Sequence, residues 1–158
     1  MHEITENATL EMTNVLSYRR RSTQRELSQV SRDIEEVLRC SGAKRSGSSV
    51  SSTHAVDTSG AEPMLDMEIL IPIDKEISVS SPFAIKPVFR LRNAVKIRHK
   101  GSPALLQNTA KELMDYISDR GLTPITPGYN VTVQEPAAPT DVDNLVVDIY
   151  VGISDNIL

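Results

Sequence analysis

The sequence holds no tryptophan, two phenylalanines, four tyrosines and one cysteine in 158 residues. So few rings leave little material for the aromatic lining common in lipophilic pockets. Cys40 alone cannot form an internal disulfide, which fits a reducing, cytoplasmic compartment. No apolar run approaches the ~20 residues of a membrane span, and the acidic opening MHEITENATLE lacks the apolar core of a secretory signal. No membrane association is therefore expected. A formal net charge of −4 offers no overall attraction for nucleic acid. The histidines His2, His54 and His99 show no paired spacing, so a zinc site is not expected. There is no phosphate-cradling glycine loop, dinucleotide fingerprint or Ser-His-Asp ordering, and no cofactor is expected. What remains is an ordinary globular composition, 39% hydrophobic and 24% charged, of a size for one domain or two small modules sharing a core.

Periodicity divides the chain into two similar halves. Residues 14–20 alternate as a strand, with Leu16 and Tyr18 on one face and Val15, Ser17 and Arg19 on the other. Thr23 with Glu26 is a capping box, followed by the helical stripe Leu27, Val30, Ile34, Val37 and Leu38 and a stop at Gly42. The Ser-rich stretch 43–62 predicts an edge strand near Val50–Val56 between loops. Residues 64–73 predict a strand with Met67, Ile69, Ile71 and Ile73 on one face and Asp66, Glu68 and Leu70 on the other. Residues 74–87 read as the connection between the halves.

The second half repeats the order. Val88–His99 predicts a strand, in one or two pieces, and Ser102-Pro103 starts a helix with the stripe Leu106, Ala110, Leu113, Tyr116 and Ile117, ended by Gly121. A strand over 129–135, a second proline-rich turn, and a last strand over 144–153 follow. In the last strand Leu145, Val147, Ile149, Val151 and Ile153 face the core, while Asp148 and Tyr150 point the other way. Asn14 corresponds to Asn93, Thr23 to Ser102 and Gly42 to Gly121 at a spacing of 79, and Glu68 to Asp148 at 80.

The expected fold is a single α+β domain over residues 1–158, with repeat one at about 10–75 and repeat two at about 84–155. Two strand-helix-strand-strand repeats related by a pseudo-twofold form an antiparallel sheet, with both helices on one face. A ligand groove is then left on the other face, lined by Ser17, Arg19, Glu68, Leu70, Lys96, Arg98, Asp148 and Tyr150.

The second half resembles the GyrI-like family, the effector-binding domain of AraC-type and MerR-type bacterial transcription activators. The residues that carry the resemblance are Arg98-His99-Lys100-Gly101 before the helix, Pro127-Gly128-Tyr129 after it, and the terminal Val147-Asp148-Ile149-Tyr150-Val151. The first half offers its own version of the last in Glu68-Ile69-Leu70-Ile71-Pro72. The resemblance implies a small-molecule ligand, cationic or aromatic, held in the cleft by Glu68, Leu70, Asp148, Tyr150, Arg98 and Arg19. It also implies a stand-alone bacterial effector- or drug-binding domain with a regulatory or sequestering role, acting by binding more than by catalysis. A homodimer or a partner regulator protein is the assembly it suggests. No helix-turn-helix is present, so direct nucleic-acid binding is not expected.

Two other readings stand beside it: a hydrolase in which a cleft carboxylate activates water, and a protein-interaction module whose cleft has degenerated. For Glu68 and Asp148 the bland alternative is cross-strand pairing with Arg or Lys, worth ~0.2–1 kcal/mol each. His99 reads as a solvated strand end between Arg98 and Lys100, as do the two arginine-lysine clusters. Tyr116 reads as core, and Cys40 as a helix-end residue without a catalytic partner.

Overall fold

A computed structural model describes residues 2–135 and 142–154. The proline-rich turn expected before the last strand falls partly on 136–141, outside the described residues. Among those described, the elements are β1 (Ile4–Ser22), α1 (Leu27–Ser41), β2 (Val50–Asp57), β3 (Met64–Pro72), β4 (Phe83–Lys100), α2 (Leu106–Asp119), β5 (Tyr129–Gln134) and β6 (Val146–Gly152). Both helices open through a short 3-10 turn. No helix here is long and apolar enough to cross a membrane.

The chain forms two compact units, one of residues 12–89 and one of residues 1–11 with 90–158. In the first, β3 lies between β1 and β2, antiparallel to both, with Arg19 and Ser52 directly across from Glu68 on either side. In the second, β6 lies between β4 and β5, also antiparallel, with Arg98 and Val131 directly across from Asp148.

Strands β1 and β4 are longer than the alternation of their central residues suggests. β1 starts at Ile4 rather than near Asn14, and β4 at Phe83, inside the stretch read as a connection. Pro87 concealed the second of these. Proline cannot donate to a ladder, but it can sit in a strand where its missing N–H is not needed. The β1 backbone bends through the left-handed region at Asn7 and Asn14, and β4 does so at Asn93. Asparagine tolerates that region better than most residues. The Asn14 amide donates to the Ile73 carbonyl at 3.1 Å while Ile73 N–H returns a bond to Asn14. Asn93 makes the same pair of bonds with Ile153.

Each helix buries one stripe against the sheet of its own unit. Val30, Ile34 and Leu38 of α1 pack on Leu16, Tyr18, Ile71 and Ile73. Leu113 and Ile117 of α2 pack on Val95, Ile97, Val147, Ile149, Val151 and Ile153. Full burial of each such side chain is worth about 1.5–3 kcal/mol. Thr23 and Glu26 close the capping box at α1, Thr23 N–H reaching the Glu26 carboxylate at 3.3 Å. At α2 the Ser102 hydroxyl accepts from Ala104 N–H at 3.2 Å, with Pro103 in the first turn. Gly42 and Gly121 end the helices at φ 71° and 69°, where a side chain would be strained.

This packing sets an expectation for truncation. Leu113→Ala, at a fully buried position, should cost about 2–5 kcal/mol in urea unfolding. Its exposed neighbour in sequence, Met114→Ala, should stay within about 0.5 kcal/mol.

Candidate functional site

With one helix on one face of each sheet, strand alternation sends a second set of side chains to the opposite face. In the unit of residues 12–89 that set centres on Glu68, only 5% exposed. An ionised carboxylate taken from water must be fully hydrogen-bonded or it is costly. Here the Ser17 hydroxyl donates to Oε2 at 2.8 Å, the Lys86 ammonium donates to the same oxygen at 2.8 Å, and His54 Nε2 faces Oε1 at 3.3 Å. Burial pushes the Glu68 pKa up, but the bonds from Lys86 and Ser17, the Lys86 charge and the His54 bond outweigh it. The carboxyl is thus held below its ordinary 4.5. Leu70 and Val50, cross-strand partners, are fully buried. Arg19 stands directly across from Glu68 but turns to Asp66, forming a two-pronged pair at 3.0 and 3.1 Å.

In the other unit the buried acid Asp148 is held differently. Arg98 spans both carboxylate oxygens, Nε to Oδ1 at 2.7 Å and Nη2 to Oδ2 at 2.9 Å, a bidentate geometry that fixes both groups. The bond and charge of Asp148 raise the Arg98 pKa further. Lys96 stands 3.8 Å from Asp148 and 5.8 Å from the centre of the Tyr150 ring. Burial, then the Asp148 charge, pushes the Tyr150 phenol up, so it remains a hydrogen-bond donor at neutral pH.

The structure thus brings Glu68 to Leu70, and Asp148 to Arg98, Lys96 and Tyr150, while Arg19 serves Asp66. Four residues were missed in the sequence. Tyr129 lies directly across from Tyr150 and adds a second ring to that face. Ser52 and His54 lay in a Ser-rich stretch read as loop and edge, and Lys86 in a presumed connection. The one signal for them was the β2 alternation, which turns Ser52 and His54 the same way.

His99 corrects the reading of a solvated strand end, because it is 1% exposed. Its Nε2–H donates to the Ser102 carbonyl at 3.0 Å, and its Nδ1 lies within hydrogen-bond distance of the buried Thr109 hydroxyl, at 2.7 Å. The imidazole therefore ties the end of β4 to the start of α2, a structural task. Tyr116 is part of the α2 core and donates its hydroxyl to Glu6 at 2.8 Å. Cys40 is exposed at the end of α1, beside a cavity of about 620 Å³ that Val37, Val79, Pro82 and Phe83 help to line. A second cavity, of about 720 Å³, runs along α2 past His2, Ile4, Glu112 and Tyr116. Among the described residues no cluster of three or more His, Cys, Asp or Glu could hold a metal ion.

The Glu68 environment has a pH signature. A depressed folded-state pKa contributes stability that is fully present above the unfolded value, near 4.5, and is lost as pH falls through the lower folded value. Urea unfolding of the wild type and Glu68→Gln should therefore differ by about 1.5–3 kcal/mol at pH 7, and the gap should close below pH 4.5. A gap independent of pH would show that Glu68 is not held as an anion.

No family model and no curated protein matches the chain. Among solved structures it is similar to the crystal structure of the EcmrR C-terminal domain, at 16% identity and a TM-score of 0.73, covering 99% of each chain. It is also similar to EcmrR in its cryo-EM complex with DNA, at 16% identity and a TM-score of 0.78 over 98% of this chain. There it spans 58% of the EcmrR chain, less than two thirds of that protein's length. A third similar structure is SAV2435 bound to tetraphenylphosphonium, at 11% identity and a TM-score of 0.54, covering 98% of this chain and 94% of that one. At such identities the likeness speaks for the fold. The chain has the fold that the EcmrR C-terminal domain and SAV2435 share.

Proposed function

We propose that the chain binds a small cationic ligand and acts as an effector-type or sequestering domain, with Glu68 as the charge-bearing contact. The observation that carries this reading is a buried anion kept ionised on the face turned away from the helix. A carboxylate in that setting attracts a cation more strongly than one in water, because the surrounding dielectric is lower. The partly exposed Phe89, beside Lys86, supplies nearby apolar surface. SAV2435, of similar fold, is bound to tetraphenylphosphonium, a cation with aromatic rings.

The two units are read as copies of one strand-helix-strand-strand repeat. Support comes from paired features 79 or 80 positions apart: the Asn14–Ile73 and Asn93–Ile153 bonds, the left-handed Gly42 and Gly121, and the acids Glu68 and Asp148. The copies have diverged in chemistry. Arg98 occupies both oxygens of Asp148, which makes that acid and its arginine a rigid ion pair rather than a ligand contact. Of the residues suggested by the sequence, Glu68 remains the ligand contact in this reading, Leu70 lies buried beneath it, Tyr150 belongs to the other unit, and Arg19, Arg98 and Asp148 become framework.

A similar fold at a TM-score of 0.54 and 12% identity belongs to a hydrolase from Listeria innocua, which keeps the catalytic alternative in view. The state of Glu68 argues for binding. A general base works best with a pKa near the working pH, and this one is held on the acidic side by its donors.

Thermal unfolding against a panel of aromatic cations tests the reading. A binder present at a hundred times its Kd stabilises by about 2.7 kcal/mol, enough for a rise of several degrees. The rise should disappear in Glu68→Gln and persist in Arg19→Gln. A rise unchanged in Glu68→Gln would remove Glu68 from the site, and turnover of a reactive ester abolished by the same substitution would favour the hydrolase.

A further inference from the structure

We propose that the Glu68 centre selects a protonated amine, and that Lys86 is a tethered competitor occupying the place of the ligand; the proposal rests on the binding reading above. The Lys86 ammonium donates to the Glu68 carboxylate at 2.8 Å and lies 5.8 Å from the centre of the Phe89 ring. A charged N–H donor on a buried acid, with an aromatic ring at its side, reproduces the contacts a bound amine would make. The lysine side chain is 38% exposed and the glutamate 6%. The cation therefore reaches the acid from the solvent side on a flexible four-carbon stem, and can leave by changing rotamer without disturbing the sheet.

Ser52 supplies an independent observation. It lies directly across β3 from Glu68, on the same face, and is 1% exposed. Its hydroxyl oxygen has no hydrogen-bond partner among the described residues. Leaving a buried polar group unsatisfied costs about 1–3 kcal/mol, so a ligand that satisfies it gains what the resident lysine does not provide. An alkylammonium carries three N–H donors. One can replace the Lys86 bond to Glu68 while a second reaches the Ser52 oxygen. A quaternary ammonium or phosphonium ion has no such donor and can make neither bond.

The other unit sharpens the assignment to one site per chain. Lys96 there lies near Asp148 and over the Tyr150 ring, but at 3.8 Å, because the Arg98 fork already holds both carboxylate oxygens. An amine cannot displace a bidentate guanidinium as readily as a single flexible ammonium.

Calorimetric titration with phenethylammonium and, separately, with tetraphenylphosphonium tests the proposal on the wild type and on Lys86→Met, Ser52→Ala and Glu68→Gln. Phenethylammonium should bind K86M at least tenfold more tightly than the wild type, at one site, and should bind S52A at least threefold more weakly. Tetraphenylphosphonium should gain less than threefold from K86M. If K86M does not fold, Lys86→Gln, which keeps a neutral donor on the acid, carries the same expectation. Phenethylammonium binding that is lost in E68Q but not tightened by removing the lysine overturns the competitor role while leaving Glu68 as the contact. An equal gain for both cations, or no effect of S52A, overturns the amine selectivity. Binding of neither cation to any of these proteins overturns the Glu68 reading itself.

Discussion

Successive side chains of a strand cannot face the same helix, and each three-stranded sheet of this chain is given one helix. Everything chemical follows from that constraint. The apolar residues at alternate positions of β1, β3, β4 and β6 meet the stripes of α1 and α2, and the residues between them are sent to a face with no helix to bury them. That face can hold acids because it does not have to exclude water for the helix core to form. Glu68 sits between Ile69 and Met67, and Asp148 between Val147 and Ile149, so neither acid can move without turning a core residue outward. The position of the charge is thus fixed by the hydrophobic core on the other side of the same backbone.

What neighbours then do with that charge differs between the units. Across from Asp148, Arg98 extends toward the acid and bonds to both of its oxygens. Across from Glu68, Arg19 finds Asp66 instead, and the acid is left to a serine, a histidine and a lysine from three other places in the chain. Asp66 makes the difference: an aspartate two residues before the acid draws the arginine outward. Two residues before Asp148 stands Val146, which offers Arg98 no alternative.

The helices, their caps and stops, and the faces of β3 and β6 were legible in the sequence because each is a local property, written in residues three, four or two apart. Glu68 and Asp148 were legible for the same reason. Partners were not. His99 sits between two cations and reads as wet, yet it is buried because Thr109, one turn into the following helix, offers a hydroxyl at the right depth. Lys86 reads as a linker residue because Pro87 follows it, and its partner lies 18 positions away on another strand. Ser52 and His54 gain meaning only from a register, and a register is set by pairing between strands rather than by either strand alone.

The division of β1 has a consequence for how the chain comes to be folded. Its first residues belong to the unit completed by residues 90–158: the Glu3 carbonyl accepts from Arg98 N–H, Glu6 from Tyr116, and Glu11 pairs with Arg90. These residues are made well before the partners they pair with, 79 positions earlier for Glu11 and 110 for Glu6. Contacts between such distant positions close long loops and are slow to form. The first part of β1 must therefore wait, with these partners missing, until β4 and α2 have been made.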